Sequence, residues 1–433
     1  MKRAITALLL LAAIQGTPES RATWGGFTGL LQSEVVTTTT AAATTTTAAA
    51  TTTTVAATTT TTTTLASNDF IMTWVVDSTN NVTVPCQNSG VFDATINWGD
   101  GSGDKTVTAY NDADLTHSYN PTGTFDITIS GTFPNIYFNN GGDKDKLVDI
   151  GNLGDVGWTR FDLAFYGCAN LTNAYGDTAD VSNVTTIAYA WRDCPSLTDI
   201  GDLSSWDVSN VTTLYGAWQD CPSLTNIGDL SSWDVSNVTT IAYAWRDCSS
   251  LTDIGDLSSW DVSNVTTLFG AWWDCSSLTN IGDLSSWDVS NVTTLAYAWY
   301  GCTSLTNYTI STLPAGLTTA QYAWQNADEV LGDVSSWSNL ASNNAYLGFY
   351  NTDGLTYTSS GGALSSNIAD SINIDWRNSS LSESEVDNIL VDLNASGATN
   401  GTLYITGNTA PSATGTAAKT NMVDNKSWTI DTD

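Results

Sequence analysis

Apolar and polar residues recur with a fixed period through the middle of this chain. From Asp180 to Cys302 a segment reading DVSNVTT-IAYAW-RDC-PSLTDIGDLSSW is repeated, and the cysteines from Cys168 to Cys302 are 26 or 27 residues apart. Each unit holds two short extended runs in which apolar positions alternate with polar ones, so each run turns one face inward. This period predicts a solenoid over residues 146–357, because such coils bury a continuous core only when they stack.

Alternate coils match each other more closely than adjacent coils do, so the full repeat is two coils long. Residues 187–213 match 241–267 at all but one position, and residues 214–240 match 268–294 at all but three. AYAW in one coil alternates with YGAW or FGAW in the next. A large ring in one coil therefore faces a small residue in its neighbour, which favours close packing between coils.

Short alternating runs also flank the repeats. Between residues 69 and 140, FIMTWVV, ATINWGDG, GTFDITISG and similar runs are separated by turn residues, which predicts a small β-sandwich. After residue 357, Ser382 caps a segment with helical spacing that Gly397 ends. GTLYITG, TAAKTNMVDN and SWTIDTD predict a strand, a helix and a strand. Residues 358–433 are therefore expected to form a small α/β cap on the last coil.

The first 68 residues differ in composition from the rest. Residues 1–22 combine a basic start, an apolar run and a Ser-Arg-Ala site, which predicts a secretory signal peptide. Residues 23–68 are rich in Thr and Ala and have no face to bury, which predicts a disordered or extended stalk. No later stretch is apolar for long enough to span a bilayer. We therefore expect a secreted or cell-surface protein without a transmembrane segment.

Charge narrows the range of partners. The formal net charge is −32, with 44 acidic and 12 basic side chains. Such a chain repels nucleic acid, although a strongly acidic surface also simply keeps an extracellular protein soluble. The single histidine, His117, leaves little for histidine-based metal sites or for nucleophilic triads. Carboxylates pair only as repeat columns, so we expect no enzyme.

Three files of aspartates run along the predicted solenoid. Carboxylates stacked about 5 Å apart repel each other unless something compensates their charge. In the third file, the Asp of WDVSN is expected to cap the following turn, so that backbone N–H groups compensate its charge. The first file has no evident local partner, so it is the candidate site for Ca²⁺ or a ligand, and no cofactor is certain. The first file is Asp193, Asp220, Asp247 and Asp274; the second is Asp202, Asp229, Asp256 and Asp283; the third is Asp207, Asp234, Asp261 and Asp288.

Tryptophan is abundant, with 18 residues, and most of those in the repeats are predicted to be core. One set lies between Ser and Asp and is expected on an exposed face, where it would bind a carbohydrate or protein. The alternative is that these rings shield the edge of the core. The set is Trp206, Trp233, Trp260 and Trp287.

Two further columns leave alternatives open. The cysteines are either disulfide-linked between adjacent coils or buried reduced thiols, and parallel in-register side chains favour thiols. The asparagines of the NVT segments form N-x-T sequons, but a buried ladder of side-chain amides is favoured over glycosylation. These asparagines are Asn210, Asn237, Asn264 and Asn291.

Two segments resemble known families. NWGDG at Asn97 to Gly101, followed by HSYNPTGTFDITISG from His117 to Gly131, resembles the PKD-type immunoglobulin-like domain. The consensus LTNIGDLSSWDVSNVTTLYGAWQDCPSLT resembles the BspA-like leucine-rich-repeat surface proteins, in particular those with WDVSNVT-type repeats. The resemblance implies a leucine-rich-repeat-type solenoid behind a PKD-like sandwich. It also implies that the repeats form a recognition surface for adhesion.

The sequence as a whole predicts a mainly β, non-enzymatic binding or adhesion protein. Its expected partner is a protein or carbohydrate on a cell surface or matrix. One alternative is a virion or phage tail-fibre-type receptor-binding protein. Another is a structural component of a surface or matrix, which would assemble with itself.

Overall fold

A computed structural model describes most of the chain after the Thr-rich segment. The described residues are 68–176, 179–306, 313–314, 316–327, 332–336, 346–352, 354–358, 361, 364, 368 and 370–432. The predicted signal peptide and all but the last residue of the predicted stalk lie outside these ranges.

Two sheets form the first part of the described chain. Alternate side chains of the first strand are buried, including Phe70, Met72 and Trp74, as its alternating sequence predicts. The larger sheet has the strand order β4-β3-β6-β1-β7-β8, and β2 pairs with β5 in the smaller one. The strands are β1 (Phe70–Val76), β2 (Asn81–Thr83), β3 (Asp93–Asn97), β4 (Lys105–Val107), β5 (Thr116–Ser118), β6 (Gly123–Thr132), β7 (Leu147–Asn152) and β8 (Asn173–Ala174).

The larger sheet continues into the repeats. Strand β1 pairs antiparallel with β6 on one side and with β7 on the other. Strand β7 then pairs in parallel with β8, and Asn173 of β8 bridges to Asp199. Backbone pairing therefore runs without a break from the first sheet to the repeats.

Successive repeats stack in parallel, one period apart. Parallel bridges join Thr213, Thr240, Thr267 and Thr294 in turn. The Thr212 amide donates back to the Thr185 carbonyl at 3.0 Å, and the Thr212 hydroxyl donates to the same oxygen at 3.1 Å. Each residue is thus placed against the equivalent residue of the neighbouring repeat. We call residues 161–327 the repeat stack.

Apolar columns fill the interior of the repeat stack. Trp191, Trp218, Trp245 and Trp272 are fully buried, with ring centroids 5.6–6.0 Å apart and planes within 11° of parallel. The prediction that this tryptophan column belongs to the core is confirmed. Leu, Ile and Val columns are buried beside it.

The cysteines form a column of free, buried thiols, with Cys86 half-buried outside the column. The Cys221 Sγ donates to the Trp191 carbonyl at 2.9 Å, and Cys248 bonds Trp218 in the same way at 3.0 Å. Burial raises the pKa of both thiols well above the ordinary value. Further along, the Thr352 hydroxyl donates to the Trp324 carbonyl at 2.9 Å. This position therefore accepts a small side chain, and thiol or hydroxyl donors suit it.

The predicted asparagine ladder is present, but it is not buried. The Nδ2 atoms donate to serine carbonyls of the preceding repeat at 2.7–2.8 Å. The four side chains are nevertheless exposed, because only the amide edge faces the neighbouring repeat. Because these asparagines are exposed, burial is not an argument against their glycosylation. The asparagines are Asn210, Asn237, Asn264 and Asn291.

The C-terminal region contains the two predicted helices and a parallel sheet of order β10-β12-β13-β14. Ser382 and Glu385 form a capping box at the start of the first helix, as its sequence indicates. The elements are β9 (Gly332–Asp333), β10 (Tyr346–Gly348), β11 (Leu355–Thr356), β12 (Asn373–Asp375), α1 (Glu383–Ala395), β13 (Thr402–Tyr404), α2 (Ala413–Lys426) and β14 (Thr429–Asp431).

The environment of the thiol column predicts different outcomes for two substitutions at Cys248. Cys248→Thr should leave the free energy of unfolding nearly unchanged, because Thr352 already makes the same bond to a carbonyl. Cys248→Leu should cost about 1–3 kcal/mol, because a larger side chain overfills a packed position. Urea denaturation measures both values, and an equal loss for Thr and Leu would contradict this account.

Candidate functional site

The tryptophans between Ser and Asp are buried, so the expectation that they form an exposed strip is wrong. Trp206, Trp233, Trp260 and Trp287 are only 3–6% exposed. Each indole N–H donates to a backbone carbonyl of the preceding repeat at 2.8–2.9 Å. The alternative interpretation, that these rings shield the edge of the core, agrees with this burial. Alternation alone does not reveal that the short 3₁₀ turn before each ring directs it inward.

The second and third aspartate files cap turns. Asp202 and its equivalents accept a hydrogen bond from the N–H of the first serine of GDLSS, at 2.9–3.0 Å. Asp207 accepts from the Ser209 hydroxyl at 2.6 Å and from its N–H at 3.1 Å. These bonds lower the pKa of Asp207. The capping role predicted for the third file is confirmed.

The first aspartate file is explained by its backbone conformation. The four residues have φ between 54° and 61°, the left-handed region that Gly, Asn and Asp adopt most readily. Gly167, Gly301, Asn326 and Asn351 continue the same column with positive φ. The aspartates therefore fit a position that requires this conformation. They are Asp193, Asp220, Asp247 and Asp274.

Arginines partly compensate the first file, contrary to the expectation that it lacks local partners. The Arg246 Nε lies 3.0 Å from an Asp247 oxygen, and the Arg192 Nε lies 3.8–3.9 Å from Asp193 and Asp220. Burial and the neighbouring carboxylate still raise the pKa of Asp193 and of Asp220. Within the described ranges, no group of three or more His, Cys, Asp or Glu side chains is arranged to hold a metal ion.

The residues before the left-handed positions form what we call the outer column; they are half-buried, except Gln219, which is buried. The backbone carbonyl of each accepts a hydrogen bond from the left-handed residue of the preceding repeat. The Asp247 amide, for example, donates to the Trp273 carbonyl at 2.7 Å. Each of these side chains is thus attached to a fixed backbone. The outer column is Tyr166, Arg192, Gln219, Arg246, Trp273, Tyr300, Gln325, Tyr350 and Arg377.

A zigzag of half-buried rings runs beside the outer column. Tyr189 contacts Tyr215 with centroids 5.0 Å apart, and similar contacts of 5.1–5.7 Å follow along the stack. Gly216 lies under Tyr189, where a Cβ would come within 2.7 Å of the ring. The outer column and this zigzag together form the aromatic face. The zigzag is Tyr189, Tyr215, Tyr243, Phe269, Tyr297, Tyr322 and Tyr346.

Cations lie against the rings of this face. The Arg192 guanidinium carbon is 5.0 Å from the Tyr189 ring centre, and that of Arg246 is 4.4 Å from Trp273. Such cation–π contacts hold both partners in place. The aromatic face is therefore fixed and chemically mixed, with acidic carboxylates along one side.

An open groove of about 510 Å³ lies at the C-terminal end of the aromatic face. Five aromatic residues line it, together with three polar ones. Trp273 stacks on Tyr297 with centroids 4.4 Å apart and planes 11° from parallel. The aromatic residues are Trp273, Tyr297, Tyr300, Tyr322 and Tyr350, and the polar ones are Gln325, Asp375 and Arg377.

The aromatic face was not predicted from the sequence, although the repeats carry a signal for it. Residues 214–240 and 268–294 differ at three positions. Two of these, Tyr215/Phe269 and Gln219/Trp273, lie on this face. Differences between otherwise matching copies therefore point to the surface that the scaffold leaves free to vary.

His117 has a structural role outside the repeats. Its ring stacks on Trp98 with centroids 5.0 Å apart, and its Nε2 lies 2.7 Å from an Asp100 oxygen. Partial burial acts to raise the pKa of Asp100, but hydrogen bonds from Ser102 and His117 outweigh it and lower this pKa to about 2. The pair fixes the turn after β3.

The repeats match the model of a known family. Residues 159–267 and 252–358 match, as two tandem copies, the family described as "Mycoplasma protein of unknown function, DUF285". The match is consistent with a BspA-like repeat protein. Among curated proteins, none matches the chain. Of the helices that the structure describes, none is long and apolar enough to cross a membrane.

The first aspartate file predicts that Asp220→Asn stabilises the protein at neutral pH. Asn retains an acceptor, suits the left-handed backbone and removes a repelled carboxylate. We expect a gain of up to about 1 kcal/mol in the free energy of unfolding. Because the folded-state pKa of Asp220 is raised, ionisation costs stability above that pKa. The gain should therefore vanish as the pH falls below the ordinary value of 3.8.

Asp207→Asn is the matched control for this prediction. The pKa of Asp207 is lowered, so its carboxylate stabilises the fold above the ordinary pKa, and this stabilisation is lost on acidification. The same substitution should therefore reduce stability at pH 7. Denaturant melts of both variants across pH 3–7 measure the two effects. An Asp220→Asn gain that persists at the acid end would contradict the role of repulsion.

Proposed function

We propose that this chain is a secreted or surface-exposed, non-enzymatic binding protein that uses its repeats for adhesion. In this proposal a PKD-like sandwich precedes a leucine-rich-repeat-type solenoid. Parallel bridges one period apart, the shared interior columns and the tandem family match support that architecture. The partner would be a protein or carbohydrate on a cell surface or matrix.

The observation that carries the proposal is the aromatic face. Half-buried tyrosine, phenylalanine and tryptophan side chains offer large contact areas with few torsions to restrain on binding. Here they are also fixed by neighbouring rings and by hydrogen-bonded backbone. A pre-organised surface of this kind loses little conformational entropy when a partner binds.

Charge supports recognition on the same face. Arg192 and Arg246 project among the rings, while the first aspartate file lies beside them. Alternating charges of this kind select partners by electrostatic complementarity and add polar contacts to a surface of rings. The other two aspartate files bond to backbone N–H groups, which gives them a structural use.

The proposal is tested with the whole secreted chain and a variant of its aromatic face. Tyr189→Asn and Tyr243→Asn fit the left-handed backbone at these positions, where φ is 58° for both. Combined with Arg246→Gln, they remove two rings and a charge without altering the core. We expect binding to whole cells and matrix proteins to fall at least tenfold, measured by fluorescence-detected adhesion.

The control carries Thr225→Ser and Thr279→Ser, which alter exposed positions of another column and keep their hydroxyl hydrogen bonds. This control should bind as the unchanged chain does. Circular dichroism establishes that all forms are folded. Equal binding by the face variant and the control would remove the aromatic face as the adhesive surface.

A further inference from the structure

We propose that the groove at the C-terminal end of the aromatic face binds a neutral oligosaccharide. This inference rests on the proposed adhesive function, and it names the ligand class and the place of binding. The groove is distinct from the rest of the face because five consecutive coils contribute one outer-column side chain each. Four steps of about 4.8 Å give it a length of about 19 Å.

The groove is rigid where a ligand would lie. The Tyr300 carbonyl accepts from the Asp274 amide at 2.7 Å, and the Gln325 carbonyl accepts from Gly301 at 2.9 Å. The Tyr350 and Arg377 carbonyls are held by Asn326 and Asn351 at 3.1 and 2.9 Å. The backbone behind these outer-column side chains is thus bonded to the preceding repeat, so this side of the groove is formed before a ligand arrives.

Its surfaces suit sugar rings. A pyranose presents an apolar C–H face and a rim of hydroxyls, so it binds where aromatic planes and hydrogen-bonding groups alternate. Trp273 and Tyr297 stack on each other and Arg246 lies over the indole, so the apolar surface open to a sugar is formed by ring edges, with Tyr300 5.7 Å from Trp273 at an angle. Tyrosine hydroxyls and the Gln325 amide supply both donors and acceptors.

The charges of the groove compensate each other. Asp375 is almost fully buried and receives two bonds from the Arg377 guanidinium, at 2.9 and 2.6 Å, and one from the Tyr346 hydroxyl at 3.1 Å. The guanidinium also lies 5.1 Å from the ring centres of both Tyr350 and Tyr404. With this pair neutralised and a chain charge of −32, a neutral glycan fits better than a sialylated or sulfated one.

Size also favours a glycan over a folded protein. A volume of about 510 Å³ lies in the range of small-ligand sites. A specific protein–protein interface buries upwards of about 1,000 Å², far more than this groove offers alone. Protein partners would therefore use the wider aromatic face.

Trp273→Gln tests the inference with little risk to folding. It restores the residue that the equivalent position, Gln219, already carries in the matching repeat. The control is Thr279→Ser, which lies outside the aromatic face and keeps its hydroxyl hydrogen bond. Both variants are made in the whole chain, and their melting temperatures are compared with that of the unchanged protein.

The probes are short neutral oligosaccharides of glucose, galactose, mannose and N-acetylglucosamine, with sialylated and sulfated forms beside them. An array selects the glycan and titration calorimetry measures its Kd. We expect binding to a neutral glycan that changes little with salt. It should weaken about tenfold in Trp273→Gln and not in Thr279→Ser.

Two results would overturn the inference. One is the absence of neutral-glycan binding, or selection of anionic glycans alone. The other is neutral-glycan binding that Trp273→Gln leaves unchanged. Cell adhesion is measured on the same preparations: adhesion that persists without glycan binding refutes the groove ligand and leaves the adhesive function standing. If only the Tyr189 and Tyr243 variant loses adhesion while glycan binding is kept, the aromatic face is the adhesive surface and the groove binds its glycan independently.

Discussion

Everything in this protein depends on register between neighbouring repeats. Amides and hydroxyls of one repeat bond to carbonyls one period away, so each side chain meets its own equivalent above and below. That constraint explains why residue types occur in columns. Stacked indoles, a thiol column and an asparagine ladder are all tolerated in repetition, since the indoles pack on each other and the thiols and amides bond to backbone carbonyls of the preceding repeat. Stacked carboxylates repel each other, and their files are held by backbone N–H groups, by arginines, or by side-chain N–H groups such as those of Gln219 and Trp273.

The sequence predicted what depends on period and local capping. The stacked tryptophan core, the asparagine ladder, the capping aspartates and the helix that begins after Ser382 were all readable, because each follows from spacing or from a short motif. The direction in which individual side chains point could not be predicted from the sequence. Trp206 was expected outside because Ser and Asp flank it, yet a 3₁₀ turn directs its ring into the core. Exposure depends on where the chain turns, and alternation does not encode those corners.

The first aspartate file illustrates a second limit. A column of like charges suggests a cation site, but the positive φ of these residues explains why Asp occurs at this position. The same column contains Gly167, Gly301, Asn326 and Asn351, so the common property is conformation. The arginine that precedes Asp193 and Asp247 lies in the next column, one residue away. Its importance follows only from knowing that this neighbouring position lies on the aromatic face, where the repeats are free to differ.

The buried indole column also gives the protein an optical character. Parallel indoles 5.6–6.0 Å apart are close enough for their electronic transitions to couple, so light absorbed by one ring is shared along the column. The near-ultraviolet dichroism of this protein therefore reports on the alignment of whole repeats. A slip of one coil past another would change the sign and intensity of the tryptophan dichroism band before any single tryptophan became exposed to water.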